Sequence, residues 1–300
     1  MNLKSKSEGE ELLELEHRLA EYAGEDRIIS SIEAAEIIKA QKDSSQFQTG
    51  IAPFDRILGG VEEGELILVS GPTGQGKTTL LMTITRNLAN QGTKSVWFSF
   101  EVTPRQFFKR FDYNPPLFYL PAKITSNYLS WVEERILEAK LKFGIKVVFI
   151  DHLHFLFNLS HISNTSLEIG DMVAKIKDIA VLNKLAIFLV VHPEKRNRDS
   201  TEDPHHDDIR DSGLIPQYAD SAVMVWRIPN EWEEGFSKKK TRELKENDIR
   251  ARVRITKNRR LGIVGYFCLF LKDGFFEDEE NSSYGKTQNM GNNAGDSLPF

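Results

Sequence analysis

A single cysteine, Cys268, stands in 300 residues, so neither an intrachain disulfide nor a four-cysteine zinc site can form. A secreted disulfide scaffold and a zinc ribbon are excluded. Long apolar runs are scarce too. The stretch Leu185–Val191 is far shorter than the roughly 18 residues that cross a bilayer, and the opening MNLKSKSEGEELL has no apolar signal core. A reducing cytoplasmic setting without a membrane partner is the expectation. No large excess of either charge exists overall, with 39 Lys and Arg against 44 Asp and Glu and a net charge of -5. With 40% hydrophobic and 28% charged residues, fibrous, mucin-like and wholly disordered chains are excluded as well.

The averaged charge hides an asymmetry. Glu8 to Asp26 holds eight acids against Arg18, whereas Lys238 to Arg260 holds eleven bases against Glu243, Glu246 and Asp248. A polyanion such as nucleic acid suits the basic block, and a solvated surface is the plain alternative. Leu12, Leu15, Leu19 and Tyr22 recur at helical spacing in the acidic segment, which predicts an amphipathic helix. Ser30 and Glu33 suggest a capping box for a second helix, and QKDSSQFQT reads as a linker. Residues 1–48 are therefore assigned to acidic helices and a linker that dock on the main domain or on a neighbouring subunit.

From Thr49 to Glu280 short apolar runs alternate with helical periods, which predicts an α/β domain with a mostly parallel sheet covered on both faces. Strands are expected at Leu66–Ser70, Val96–Phe100, Val147–Ile150, Ala186–Val191 and Ala222–Val225, and helices at Lys77–Asn90, Ser126–Lys142 and Ser166–Leu182. After Arg250 the pattern becomes an antiparallel meander turning at Asp273 and Gly274. Residues 281–300 have too few apolar side chains to bury and are expected to be a disordered tail.

GPTGQGKTT follows the predicted strand ELILVS and opens a predicted helix, the context that the GxxxxGK[ST] pattern requires. Gly71, Thr73, Gly74, Gln75, Gly76, Lys77, Thr78 and Thr79 are the nucleotide-binding candidates. The glycines turn backbone N–H groups toward phosphates, Lys77 adds positive charge, and the Thr78 hydroxyl is a ligand for Mg²⁺. Asp151 ends the apolar strand KVVFID and is the metal-side carboxylate, expected on a neighbouring strand. Glu101 ends the strand SVWFSF, expected beside the P-loop strand, where it could polarise an attacking water; a helix N-terminal glutamate is the other reading.

These segments resemble the RecA-like motor domain of DnaB-type (superfamily 4) replicative helicases, especially the Twinkle and phage branch. The resemblance covers Thr49 to about Glu277. It rests on GELILVSGPTGQGKTT, WFSFE, VVFIDHLHFL, VVHPEKRN, DIRDSGLIPQYADSAVMVWR and ITKNRRLGIVG in family order. It implies a RecA-like P-loop NTPase fold, ATP or another NTP with Mg²⁺, Glu101 as catalytic glutamate, Asp151 as Mg²⁺-associated aspartate and His192 as γ-phosphate sensor. It also implies DNA replication on single-stranded DNA in a bacterial or phage-infected cytoplasm, an organelle being the alternative, by a homo-oligomer that closes into a hexameric ring.

In that family the segment matching Asp208 to Gln217 lines the channel. Arg210 offers a phosphate fork, and Asp211, Ser212, Gly213 and Gln217 complete the candidate DNA loop. A surface salt bridge from Arg210 to Asp207 or Asp208 is the plain alternative. Lys257 and Arg259 match the family's cations that enter the next subunit's ATP site, with Arg259 as arginine finger. The doubled base Arg259 and Arg260 leaves that assignment open by one residue. No primase or zinc module precedes the motor segment, so priming is not expected. His205 and His206 beside Asp203, Asp207 and Asp208 make a poor metal set, because adjacent loop histidines point apart. His152 and His154 read as packing or nucleotide-proximal groups. The tip GDSLPF resembles that of bacterial single-strand-binding proteins, which implies docking of replication proteins.

The expected function is therefore an ATP-dependent ring helicase translocating on single-stranded DNA. A RadA- or KaiC-like ATPase without unwinding is the second reading, because FDRILGG before the P-loop strand resembles those proteins too. An ATP-switched assembly protein is the third.

Overall fold

Short aliphatic runs bounded by glycine or polar turns build the parallel strands here, because each is buried on both faces and too short for a helix. The computed structural model describes residues 8–24, 26–40, 46–126, 128–156, 165–192, 215–228 and 250–278. The chain divides into two units, residues 1–44 and 45–300.

The first unit holds α1 (Glu8–Ala20) and α2 (Ser31–Ala40). In α1 the stripe of Leu12, Leu15 and Leu19 is exposed, and α2 buries no residue. Half of the expected capping box is present, since the Glu33 amide donates to Ser30 Oγ at 3.1 Å.

The second unit begins with β1 (Gln46–Phe47), α3 (Ala52–Leu58), β2 (Val61–Glu62), β3 (Leu66–Ser70), α4 (Lys77–Asn90), β4 (Ser95–Ser99) and α5 (Pro104–Lys109). It continues with α6 (Leu129–Phe143), β5 (Val147–Asp151), a 3-10 turn at Leu153–Leu156, α7 (Thr165–Asn183), β6 (Ala186–Val190) and α8 (Ile215–Tyr218). It closes with β7 (Ser221–Ile228), β8 (Arg250–Asn258), β9 (Gly265–Lys272) and β10 (Phe275–Glu277). Gln46 and Phe47, expected in a linker, pair antiparallel with Glu62 and Val61 instead.

The main sheet has the order β10-β9-β8-β7-β3-β6-β5-β4. β7, β3, β6, β5 and β4 run parallel, and β8, β9 and β10 add the expected antiparallel meander. Its last turn, at Asp273 and Gly274, takes positive φ at both residues.

Strand alternation divides the core. Leu66, Leu68, Val148 and Ile150 face Val132 and Ile136 of α6 and Val173 and Ile176 of α7. Ile67, Val69, Phe149 and Phe188 face Leu80, Leu81, Ile84 and Leu88 of α4, together with Val253, Ile255 and Leu269. Each such side chain stabilises the fold by about 1.5–3 kcal/mol. Trp97 fixes the angle between β4 and α4: it stacks on Phe149 at 4.9 Å, and its indole N–H donates to Thr85 Oγ1 at 2.8 Å.

Asp220 ties the other end of the sheet. Its Oδ2 accepts from the Leu66 amide at 2.8 Å and from Lys177 Nζ at 2.5 Å, joining β3 to α7. The Lys177 and Asp220 side chains are only 22% and 13% exposed, so removing the carboxylate strands the Leu66 amide and leaves the Lys177 ammonium with the Gly64 carbonyl but without its counter-charge. Asp220→Ala is expected to cost about 2–3 kcal/mol, read as a lower urea midpoint with an unchanged slope. An unaltered midpoint would show that the tie contributes nothing.

Candidate nucleotide and metal site

The glycine loop between β3 and α4 is shaped by its neighbours. Gly71 has φ 142°, and a Cβ there would stand 2.0 Å from the Val225 carbonyl oxygen, so only glycine lets the loop leave β3 pressed against β7. Gly76 caps α4 at φ 111°. Gln75 is anchored by the Arg227 amide, which donates to its Oε1 at 2.8 Å. Thr73 and Gly74 are exposed at the loop tip, and Thr79 lies in the first turn of α4.

Lys77 is buried and donates from Nζ to the carbonyls of Gly71 at 2.7 Å and Pro72 at 3.0 Å. Burial lowers its pKa, and the negative charges of Asp151 and then Glu101 oppose that. The Thr78 hydroxyl donates to Asp151 Oδ2 at 2.8 Å, so the start of α4 is joined to the end of β5.

That joining corrects the expected strand neighbours. Asp151 does not sit on a strand adjacent to β3, because β6 lies between, and Glu101 follows β4, the last strand of the row. The crossover through α4 carries the chain to the sheet edge, and β5 and β6 then fill inward. Both acids still come to the mouth of the P-loop, where the carboxyl ends of parallel strands converge.

Asp151 is 1% exposed. Burial raises its pKa to about 6 with help from the Glu101 charge, against the Thr78 hydrogen bond, Lys77 and Arg110. Among the described residues, its Oδ1 accepts no hydrogen bond. A buried spare carboxylate oxygen beside a hydroxyl is a hard oxygen donor set of the kind Mg²⁺ takes. Arg110, at the end of α5, was not foreseen. No spacing in the sequence signals that it comes near Asp151.

Glu101 is exposed just beyond β4, His152 follows Asp151 and is buried, and His192 lies half-buried beyond β6. The peptide bond between Asp151 and His152 is cis. The two imidazoles meet edge to face with centroids 4.1 Å apart. One ligating atom from each of Glu101, His152 and His192 lies within 4.8 Å of the others.

Lys257 and Arg259 stand elsewhere. Lys257 Nζ donates to the carbonyls of Pro216 at 2.6 Å and Ala219 at 2.8 Å, and Arg259 Nη2 donates to that of Gln217 at 2.6 Å. Burial and the Arg259 charge lower the Lys257 pKa, against Asp220. The Arg259 amide donates to the Asp220 carbonyl, and Asp220 holds the Leu66 amide, so this cluster marks the starting end of β3. A five-residue strand puts it about 16 Å from the P-loop end. Arg260 instead contacts Glu62 at 2.8 Å and Glu65 at 3.1 Å and donates to the carbonyls of Leu58 and Gly60. Gln217 is exposed on α8. Arg210, Asp211, Ser212, Gly213, His205, His206, Lys238 to Lys240 and the C-terminal tail lie outside the described residues.

A glycine loop between a central strand and a helix, with strand order β7-β3-β6-β5-β4, defines a RecA-like P-loop ATPase fold. The chain belongs to the DnaB-like helicase C-terminal domain family, whose model matches residues 121–277. The KaiC ATPase model matches residues 47–113. The replicative DNA helicase DnaB of Mycoplasma pneumoniae is 24% identical over 222 residues, 61% of this chain and 47% of that protein. The DNA repair protein RadA of Streptococcus pyogenes serotype M1 is 30% identical over 154 residues, 49% of this chain and 32% of that protein. The chain thus spans half or less of the curated relatives it matches. Among solved structures, an isolated ATPase domain superposes with a TM-score of 0.67 at 18% identity, over 84% of this chain and 99% of that one. A DnaB-like replicative helicase, solved in a study of its interactions with primase, gives 0.66 at 17% identity, over 88% and 70%. No helix among the described residues is long and apolar enough to cross a membrane.

The buried carboxylate makes a pH prediction. Its folded pKa, about 6, exceeds the ordinary aspartate value of 3.8, so its stabilising contribution is full below about pH 4 and lost as pH rises through 6. At pH 7.5 with chelator, Asp151→Asn is expected to be more stable than wild type by about 3 kcal/mol, with the gain vanishing near pH 4. Urea titrations at the two pH values measure this, and a less stable variant at pH 7.5 would refute it.

Proposed function

We propose that this chain is the Mg²⁺-dependent, ATP-hydrolysing motor of a ring-forming replicative DNA helicase that moves along single-stranded DNA. The observation that carries the reading is the 2.8 Å bond from Thr78 to Asp151 at the P-loop mouth, with Glu101 and His192 at the same strand ends. The loop amides and the Lys77 ammonium hold the phosphates, and Thr78 and Asp151 hold Mg²⁺. Bound there, Mg²⁺ neutralises charge on the phosphate oxygens. Glu101, exposed toward solvent, orients the attacking water and accepts its proton. His192, beyond β6, reads whether the γ-phosphate is present.

The position of Arg259 supports a ring. Roughly a strand length separates it from the P-loop of its own chain, so it can complete only a neighbour's site, and head-to-tail contacts that close give a ring. Engagement of Arg260 with Glu62 and Glu65 favours Arg259 as the finger. Six copies, DNA contacts from Arg210 to Gly213 and Gln217, and docking of replication proteins on the tail follow from likeness to the helicases.

A recombination ATPase of the RadA kind is the second reading, favoured by 30% identity to RadA over 154 residues. Steady-state ATPase with and without single-stranded DNA, a particle mass with ATP, and unwinding of a forked duplex separate the two. Glu101→Ala is expected to lower turnover at least about 10²-fold, and Arg259→Ala about 10³-fold or more, with ATP binding retained. DNA-independent turnover by a monomer would overturn the motor reading. Stimulated turnover without strand separation would favour the RadA kind.

A further inference from the structure

Two imidazoles and a carboxylate gather at the P-loop mouth, yet hydrolysis as described uses only the carboxylate and one imidazole. His152 has no part in it. We propose that Glu101, His152 and His192 form a site for a transition-metal ion of the Zn²⁺ class, and that its occupation takes Glu101 out of catalysis and holds ATP turnover off. The inhibitory half rests on the proposed role of Glu101, whereas the binding half stands on geometry alone.

The three ligating atoms lie within 4.8 Å of one another. Tetrahedral zinc, with bonds of about 2.0–2.2 Å, needs neighbouring ligands about 3.3 Å apart. The remaining 1.5 Å or so lies within the reach of one flexible side chain. Glu101 supplies that freedom, since it is exposed on the coil beyond β4. His152 is buried and His192 half-buried, and their rings pack edge to face, so the less adaptable ligands are preset. Three ligands leave a fourth position open to water or a phosphate oxygen, the pattern of an accessible rather than a closed zinc site.

Ligand chemistry sorts two metals between two adjoining sites. Thr78 and Asp151 offer only oxygen, which suits Mg²⁺, while two imidazole nitrogens suit Zn²⁺, Co²⁺ or Ni²⁺ and are poor ligands for Mg²⁺. Excess Mg²⁺ therefore does not clear the nitrogen site. A metal on the Glu101 carboxylate occupies the lone pairs that would accept the proton of water, so the base is silenced without loss of nucleotide binding.

The test uses the full chain, stripped with chelator and titrated with Co²⁺ in millimolar Mg²⁺. One Co²⁺ per chain is expected, with the intense visible absorption of a low-coordinate ion and displacement by Zn²⁺. His152→Gln and His192→Asn should each weaken uptake at least about tenfold. Changing His205 and His206 together to Gln should leave it unaltered. One equivalent of Zn²⁺ should suppress wild-type ATP turnover, and chelator but not added Mg²⁺ should restore it.

Failure to take up Co²⁺ saturably would overturn the site, as would uptake indifferent to both the His152 and His192 variants. So would uptake abolished by the His205 and His206 change. If Co²⁺ binds as expected while Glu101→Ala turns ATP over at the wild-type rate, the inhibitory consequence falls with the base assignment and the metal site remains.

Discussion

The hydrogen bond from Thr78 to Asp151 sets a condition that much of the second unit meets. It requires the first turn of α4 to lie over the end of β6 and reach the end of β5, one strand removed from the loop's own. Leu80, Leu81, Ile84 and Leu88 hold α4 there against Ile67, Val69 and Phe149, and the contact of Trp97 with Thr85 fixes its midpoint. At the loop, Gly71 allows β7 to press close. The bond fixes a carboxylate where ionisation is disfavoured, since burial outweighs the help of Thr78, Lys77 and Arg110. A carboxylate kept at a cost to stability, with one oxygen free of hydrogen bonds among the described residues, is the arrangement that the proposed cation site asks for and that folding alone does not.

The elements that carry strong local signals were legible. Buried aliphatic runs located β3, β4, β5 and β6 to within a residue or so, and helical periods located α4, α6 and α7. The meander was legible from its alternation, and β7 proved longer than its central apolar run. Two short helices, α3 and α5, went unread although their signals were present. Pro104 stands in the first turn of α5, with a complete capping box between Thr103 and Gln106, and α3 ends at the left-handed Gly59. Short helices have too few periods to rise above the background of loop residues.

Strand order was beyond reach of local pattern, because it depends on where each crossover lands. The expectation that Glu101 and Asp151 flank the P-loop strand failed for that reason, although both acids reach the loop mouth through a converging sheet end. The meeting of His152 with His192 was equally hidden. Forty residues separate them, and only pairing of β5 with β6 brings their strand ends together. The P-loop was legible because its function is local, a turn and a helix start made by consecutive residues. Arg110 carried no such mark.

The second unit gathers two polar clusters at opposite ends of one sheet. At the carboxyl ends stand Lys77, Thr78, Asp151, Glu101 and His192, and at the starting end stand Asp220, Lys177, Lys257 and Arg259. Lys257 and Arg259 here hold the carbonyls that end α8, which satisfies backbone groups a four-residue helix leaves open. Entry of either cation into a neighbour's nucleotide site therefore means leaving these carbonyls. The exchange is cheapest for Arg259, whose guanidinium is already half in solvent at 52% exposure and whose ion pair with Asp220 is long at 3.6 Å. Lys257 is more deeply held, with three carbonyls around one ammonium. Of the two cations, Arg259 is thus the freer to leave and Lys257 the one that braces α8, a difference that rests on exposure, on the length of the ion pair and on the number of carbonyls held.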